Sequence, residues 1–160
     1  MTIDKRTLKA ELVAAVKAEL AQAEAAYAST RAGATHEEAK PENDKDTRAL
    51  EQTYLARGQA TRVEELRTAV GEVEAMLVPP AKEATPIGVG MIATVEDDDE
   101  KEHVYFVALH GGGAKLAKGT IQTITPKSPL GRALVGKREG DDAEVVIAGK
   151  TKSISISKIE

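Results

Sequence analysis

The chain has no cysteine among its 160 residues. That excludes a disulfide framework, a thiolate nucleophile and a cysteine zinc site. Aromatic side chains are scarce: one Phe, three Tyr and no Trp. A stacking platform for single-stranded nucleic acid needs more than this, and so does an aromatic-lined ligand pocket. Basic residues are not in excess, with 22 Lys and Arg against 26 Asp and Glu and a net charge of −4. That balance lacks the footprint of sequence-independent binding to duplex DNA. No apolar run approaches the ~18 residues of a membrane span, and Met1–Arg6 lacks the apolar stretch of a signal peptide. The expectation is a soluble, cytoplasmic protein with no membrane partner, built as one domain or two small ones.

What is present divides into two halves of different period. From about Thr7 to Leu77 the chain is rich in Ala, Glu, Leu, Arg and Lys, and Pro41 is its only proline. Leu8, Leu12, Val16 and Leu20, then Ala23 and Tyr27, form one helical stripe. Ala49, Ala56, Val63, Leu66, Val70, Val73 and Leu77 form a second at coiled-coil spacing, thickened at its start by Leu50, Tyr54 and Leu55. Ser29–Thr35 lies between them and reads as a stop and turn. Two stripes joined by a short connection read as an antiparallel helical hairpin. Arms of roughly thirty residues would each be about 45 Å long.

Val78 to Pro86 holds three prolines and reads as a stiff linker over 79–86. Beyond it the period becomes two. Gly88–Val95 and Val104–Leu109 read as strands around the acidic turn Glu96–Glu102, and Ile121–Thr125 as another. Ala143–Ala148 and Lys152–Ile159 read as a hairpin over Gly149-Lys150. Ser128 suits an N-cap, Pro129 the first helical position and Gly136 the left-handed stop, giving a short helix over Pro129–Val135. The fold class is therefore α+β: a coiled-coil hairpin over 1–78, a linker, and an antiparallel β domain with one short helix over 87–160.

Candidate chemistry is sparse. Glu37, Glu38, Glu42, Asp44 and Asp46 crowd the tip of the hairpin, near 33–46, opposed by Lys40 and Lys45. Thr35 with Glu38 has capping-box spacing, and Pro41 suits the first turn of the second helix. The same acids also form a point that could offer oxygens to magnesium, which commonly takes one or two carboxylates plus water and phosphate. Asp97-Asp98-Asp99-Glu100 reads as a solvated turn and Gly111-Gly112-Gly113 as a flexible loop. His36, His103 and His110 show no metal-ligand spacing, and no residue reads as a nucleophile.

The run Ser128-Pro129-Leu130-Gly131-Arg132-Ala133-Leu134-Val135-Gly136-Lys137-Arg138-Glu139-Gly140-Asp141 closely resembles the C-terminal signature of the bacterial Gre transcript-cleavage factors. Glu42-Asn43 is the clearest local match in the first half. The resemblance implies a C-terminal domain similar to the FK506-binding-protein fold, which docks at the mouth of the secondary channel of RNA polymerase. It implies a hairpin that reaches down the channel to the RNA 3′ end. There, tip carboxylates would hold the polymerase's second magnesium and position the water that hydrolyses backtracked RNA, a two-metal reaction with a borrowed ligand.

On that resemblance the protein has no activity and no cofactor of its own, makes no sequence-specific contact with DNA, and works as a monomer. Glu42 and Asp44 are the foremost tip residues and candidate magnesium sharers, with Glu38 and Asp46 behind them. Lys127, Arg132, Lys137 and Arg138 surround the signature and are candidate docking residues. The chain departs from the family pattern at one place: three positions before Glu42, where the family has Asp, stands Ala39. A channel-occupying inhibitor of the same architecture, an isomerase or chaperone using the C-terminal domain, and a coiled-coil adaptor are the other readings.

Overall fold

The structure is a computed structural model that describes residues 3–38 and 45–160, with side chains described over 3–33 and 47–160. It divides into two compact units. One holds the chain up to Ala15 and from Gly71 onward, and the other is Val16–Val70.

Helix α1 spans Lys5–Glu38 and helix α2 spans Lys45–Ala75. Asp4 starts α1: its carboxylate accepts the Arg6 N–H at 3.0 Å and the Thr7 hydroxyl at 2.7 Å. These contacts hold the Asp4 carboxyl below its ordinary range, the Thr7 hydrogen bond contributing most.

The expected stop at Ser29–Thr35 is not there, because α1 runs straight through it. Ser, Thr and Gly each cost less than about 1 kcal/mol in a helix interior. Helical spacing is also used there, with Arg31 lying 5.6 Å over the Tyr27 ring one turn earlier. Thr35 and Glu38 thus fall in the last turns of α1 and do not open a helix.

Within Val16–Val70, Arg62 pairs with Glu19, and Arg67 pairs with Glu24 at 3.1 Å. Partners 43 positions apart would lie about 65 Å apart on one straight helix, so the chain folds back as a hairpin. The seam of α2 uses half-buried Ala49, Gln52, Ala56 and Gln59, then buried Val63, Leu66 and Ala69. Leu50, Tyr54 and Leu55 flank that seam and stand 53 %, 61 % and 55 % exposed, so they do not thicken it. Two successive three-residue steps, Val63–Leu66–Ala69, turn the stripe, so buried Ala69 and Met76 replace Val70 and Leu77. Leu77 lies beyond the end of α2 and is exposed.

The remaining elements build a six-stranded sheet: β1 (Ile92–Asp97), β2 (Glu102–Val107), β3 (Lys115–Leu116), β4 (Ile121–Ile124), β5 (Asp142–Ile147) and β6 (Lys150–Ile159). Helix α3 spans Pro129–Leu134, and the strand order is β3-β4-β2-β1-β6-β5. The pairs are antiparallel except one: β2 and β4 run parallel, with Phe106 opposite Thr123. The two-residue strand β3 accounts for the difference. The chain reverses at Gly111–Gly113 and again at Ala117–Gly119, so β4 re-enters beside β2 in its own direction. The glycine run is therefore a hydrogen-bonded turn, with the Gly113 N–H donating to Thr123 O at 2.8 Å.

Alternation along the strands sends Ala93, Val95 and Val107 to one face. There they meet Ile124, Leu134, Ala143, Val145, Ile154 and Ile156, with Leu130 and Ala133 of α3 packed on top. Gly90 is required where the chain enters the sheet. Its φ is 84°, and a Cβ would stand 2.1 Å from the Leu77 carbonyl oxygen. No described helix is long and apolar enough to cross a membrane.

Candidate functional site

The signature run folds as its chemistry dictates. The Ser128 hydroxyl donates to Thr125 O at 2.7 Å and accepts the Gly131 N–H at 3.0 Å, so one side chain ties the entering loop to the first turn of α3. Pro129 occupies the first turn. Gly131 sits against the same loop, where a Cβ would lie 1.8 Å from Thr125 O. Leu134 is fully buried. Gly136, at φ 86°, donates to Ile87 O at 2.8 Å, and Ile87 donates to Lys137 O at 2.8 Å. The Asp141 carboxylate accepts the Arg138 N–H at 2.8 Å, and Glu139 accepts the Ile159 N–H at 2.7 Å. Signature side chains thus lock α3 and its exit turn onto the sheet.

The candidate docking cations line different clefts. Lys127 lines a cleft of about 480 Å³ with Glu72, Leu109, His110, Gly111, Thr125 and Pro126. Arg132 and Lys137 line a different groove, of about 590 Å³, beside β5. Arg138 lines neither. Lys127, Arg132 and Arg138 are exposed, and Lys137 is half-buried.

Of the tip acids, Glu38 ends α1 and Asp46 lies in the first turn of α2. Glu42 and Asp44 lie outside the described residues, as does Pro41. Among the described residues, no group of three or more His, Asp and Glu is placed to hold a metal ion.

The second acidic cluster is a fastening. Asp97 Oδ1 accepts the N–H groups of Asp99 and Lys101, both at 3.0 Å, and Oδ2 meets His103 Nε2 at 2.8 Å. The His103 hydrogen bond, followed by the Lys101 N–H, holds the Asp97 carboxyl below its ordinary range. Asp98 crosses to the Ser153 N–H at 3.2 Å. The His103 ring stacks on Tyr105 at 6.3 Å, and burial together with the Asp97 charge pushes the Tyr105 phenol up.

Two acids carry contacts that stripe reading passed over. Glu11 accepts the Ala117 N–H at 2.8 Å, beside Ala117 and Lys118 at φ 49° and 57°. Glu72 pairs with His110. Both acids stand at polar positions between stripe residues, and nothing in the sequence distinguishes them from solvated neighbours.

The family described as "Transcription elongation factor, GreA/GreB, C-term" matches residues 82–160, the whole segment from the start of the Lys82–Thr85 turn to the end of the chain. Residues 82–160 carry the C-terminal domain of the GreA/GreB family. It is 34 % identical over 98 residues to the transcription elongation factor GreA of Paracoccus denitrificans, covering 61 % of this chain and 60 % of that one. To GreA of Ruegeria pomeroyi it is 36 % identical over 84 residues, 52 % of each chain. The match therefore spans about 60 % or less of these GreA-family relatives. The solved structure of Thermus aquaticus Gfh1 aligns over 91 % of each chain at 16 % identity with a TM-score of 0.43, a likeness too slight to add to the assignment.

Proposed function

We propose that this Gre-family protein is a cytoplasmic regulator of transcription elongation that acts on RNA polymerase as a monomer and has no free-standing activity. The family match over 82–160, with the Ser128-capped helix at its centre, carries the reading. In it, the sheet domain over 87–160 docks at the polymerase secondary channel, and the 1–78 hairpin carries its acidic tip toward the RNA 3′ end. Lys127 and the Arg132–Lys137 pair, which line different clefts, supply cations to the docking contact together with Arg138. Glu42 and Asp44, supported by Glu38 and Asp46, share the polymerase's magnesium. The protein needs no cofactor of its own and no sequence-specific contact with DNA.

The experiment uses purified RNA polymerase halted in a backtracked complex. Addition of the protein should shorten the RNA from its 3′ end, and Glu42→Ala should cut that rate by at least about tenfold, the scale of losing one metal ligand or its orienting partner. Slowed synthesis without shortening would overturn cleavage stimulation in favour of channel inhibition.

A further inference from the structure

Strand β5 is one of the two edge strands of the sheet, and among the described residues none pairs with its free side. The two-residue turn Ala148-Gly149, at φ 52° and 75°, closes the β5–β6 hairpin. Ile147 and Lys150 are therefore a bonded pair, and bonding alternates from there. The Ile156 N–H bond to Asp141 O, 2.9 Å, continues the same alternation at the other end. Residues 143, 145 and 147 thus use their backbone groups on β6. The N–H and C=O groups of Asp142, Glu144 and Val146 point outward.

Between α3 and this strand lies the groove of about 590 Å³, with Arg132 on α3 and Lys137 in its exit turn on one wall, Asp142 and Glu144 on the β5 wall, and Ser153 of β6 beyond them. Ala143 and Val145 turn inward and are 7 % and 3 % exposed. The side chains of Asp142, Glu144 and Val146 lie on the opposite face, and all three are exposed.

An open strand edge flanked by a helix is the geometry that accepts an added strand. We infer that this groove receives an extended segment of a partner protein, paired to β5, with acidic side chains at the alternate positions that face α3. Arg132 and Lys137 select those acids. Asp142 and Glu144 select basic or neutral residues at the intervening positions, which face the other way. A second copy of this chain fits poorly. Outward residues must meet outward residues, and the fully overlapped antiparallel register sets Glu144 against Glu144. Such a copy also offers the two cations only Ala143 and Val145.

The test is fluorescence anisotropy on the full chain with two labelled octapeptides of one composition. In one, Glu and Lys alternate; in the other, four Glu precede four Lys. The alternating peptide should bind roughly tenfold tighter, a difference of one net hydrogen bond or ion pair. Val146→Pro removes an outward N–H and no ladder bond. It should weaken that binding by about tenfold, while Val146→Ala leaves it unchanged. Charge reversal, Arg132→Glu with Lys137→Glu, should abolish the preference and decides the matter if the proline variant fails to fold. Equal binding of the two peptides, or unchanged binding by Val146→Pro, would overturn the inference. So would a dimer in sedimentation that Val146→Pro dissolves, since it assigns the edge to a second copy. No polymerase enters the measurement, so its outcome is separable from that of the elongation reading.

Discussion

Two glycines and one serine carry much of the geometry of the sheet domain. A methyl group at Gly131 meets a carbonyl oxygen at 1.8 Å, and one at Gly90 meets another at 2.1 Å. Both oxygens are backbone atoms and cannot swing aside. Gly131→Ala should destabilise by about 3 kcal/mol, the upper range for overpacking, and Gly90→Ala by more because its positive φ adds strain. Denaturant midpoints check both. Ser128→Ala removes only a cap and should cost about 1 kcal/mol, with Ser128→Asp in between. Asp97 sets a pH dependence at the same scale. Its carboxyl is lowered in the folded state, foremost by His103. It therefore contributes stability at all pH values above the unfolded carboxyl value of about 3.9. That contribution is lost as pH falls through the lower folded value. Between pH 5 and pH 2 the thermal midpoint of Asp97→Asn should fall less steeply than that of the parent.

At the scale of elements, α2 changes character along its length. Its seam is only half-buried through Ala49, Gln52, Ala56 and Gln59 and becomes fully buried from Val63 onward. Among the described residues, the side-chain oxygens of Gln52 and Gln59 are enclosed without a hydrogen-bond partner, which weakens that part further. Amides over 49–59 should exchange with solvent faster than those over 63–73, as native-state hydrogen exchange would show. Elements of this kind were legible in the sequence where their signals are local. Ser128 and Pro129 announce α3, Gly136 its stop, and alternating Ile and Ser announce β6. The end of α1 was not legible, because Ser29, Thr30 and Gly33 are turn formers that a long helix absorbs at small cost. Strand β3 was not legible either, since Lys115–Leu116 is too short to show a period. Without it the parallel placement of β4 could not be foreseen. The candidate site divides likewise. The tip acids could be named from composition, but which cleft Lys127 or Arg132 lines depends on topology, and they line different ones.

For the whole molecule, the elongation reading assigns docking and chemistry to opposite ends of the sequence, and the two should separate under mutation. Glu42→Ala should still be retained by immobilised polymerase while losing RNA shortening. Gly131→Ala should lose retention and shortening together, with a lowered unfolding midpoint. A Glu42→Ala variant that fails to bind would contradict that division.

The parallel β2–β4 ladder also orders the assembly of the sheet in time. The β1–β2 and β5–β6 hairpins close over short turns and need nothing else. Strand β4 cannot meet β2 until the chain between them has doubled back twice. The β1–β6 seam waits longest, because Ala93 pairs with Ile159, sixty-six positions later. Loop closure over such a distance is the slow step of a fold. Until it occurs, β1 is paired to β2 alone and its other edge stays open. The interior of the sheet, its most protected part once complete, is thus the last region to become safe from misassociation during folding.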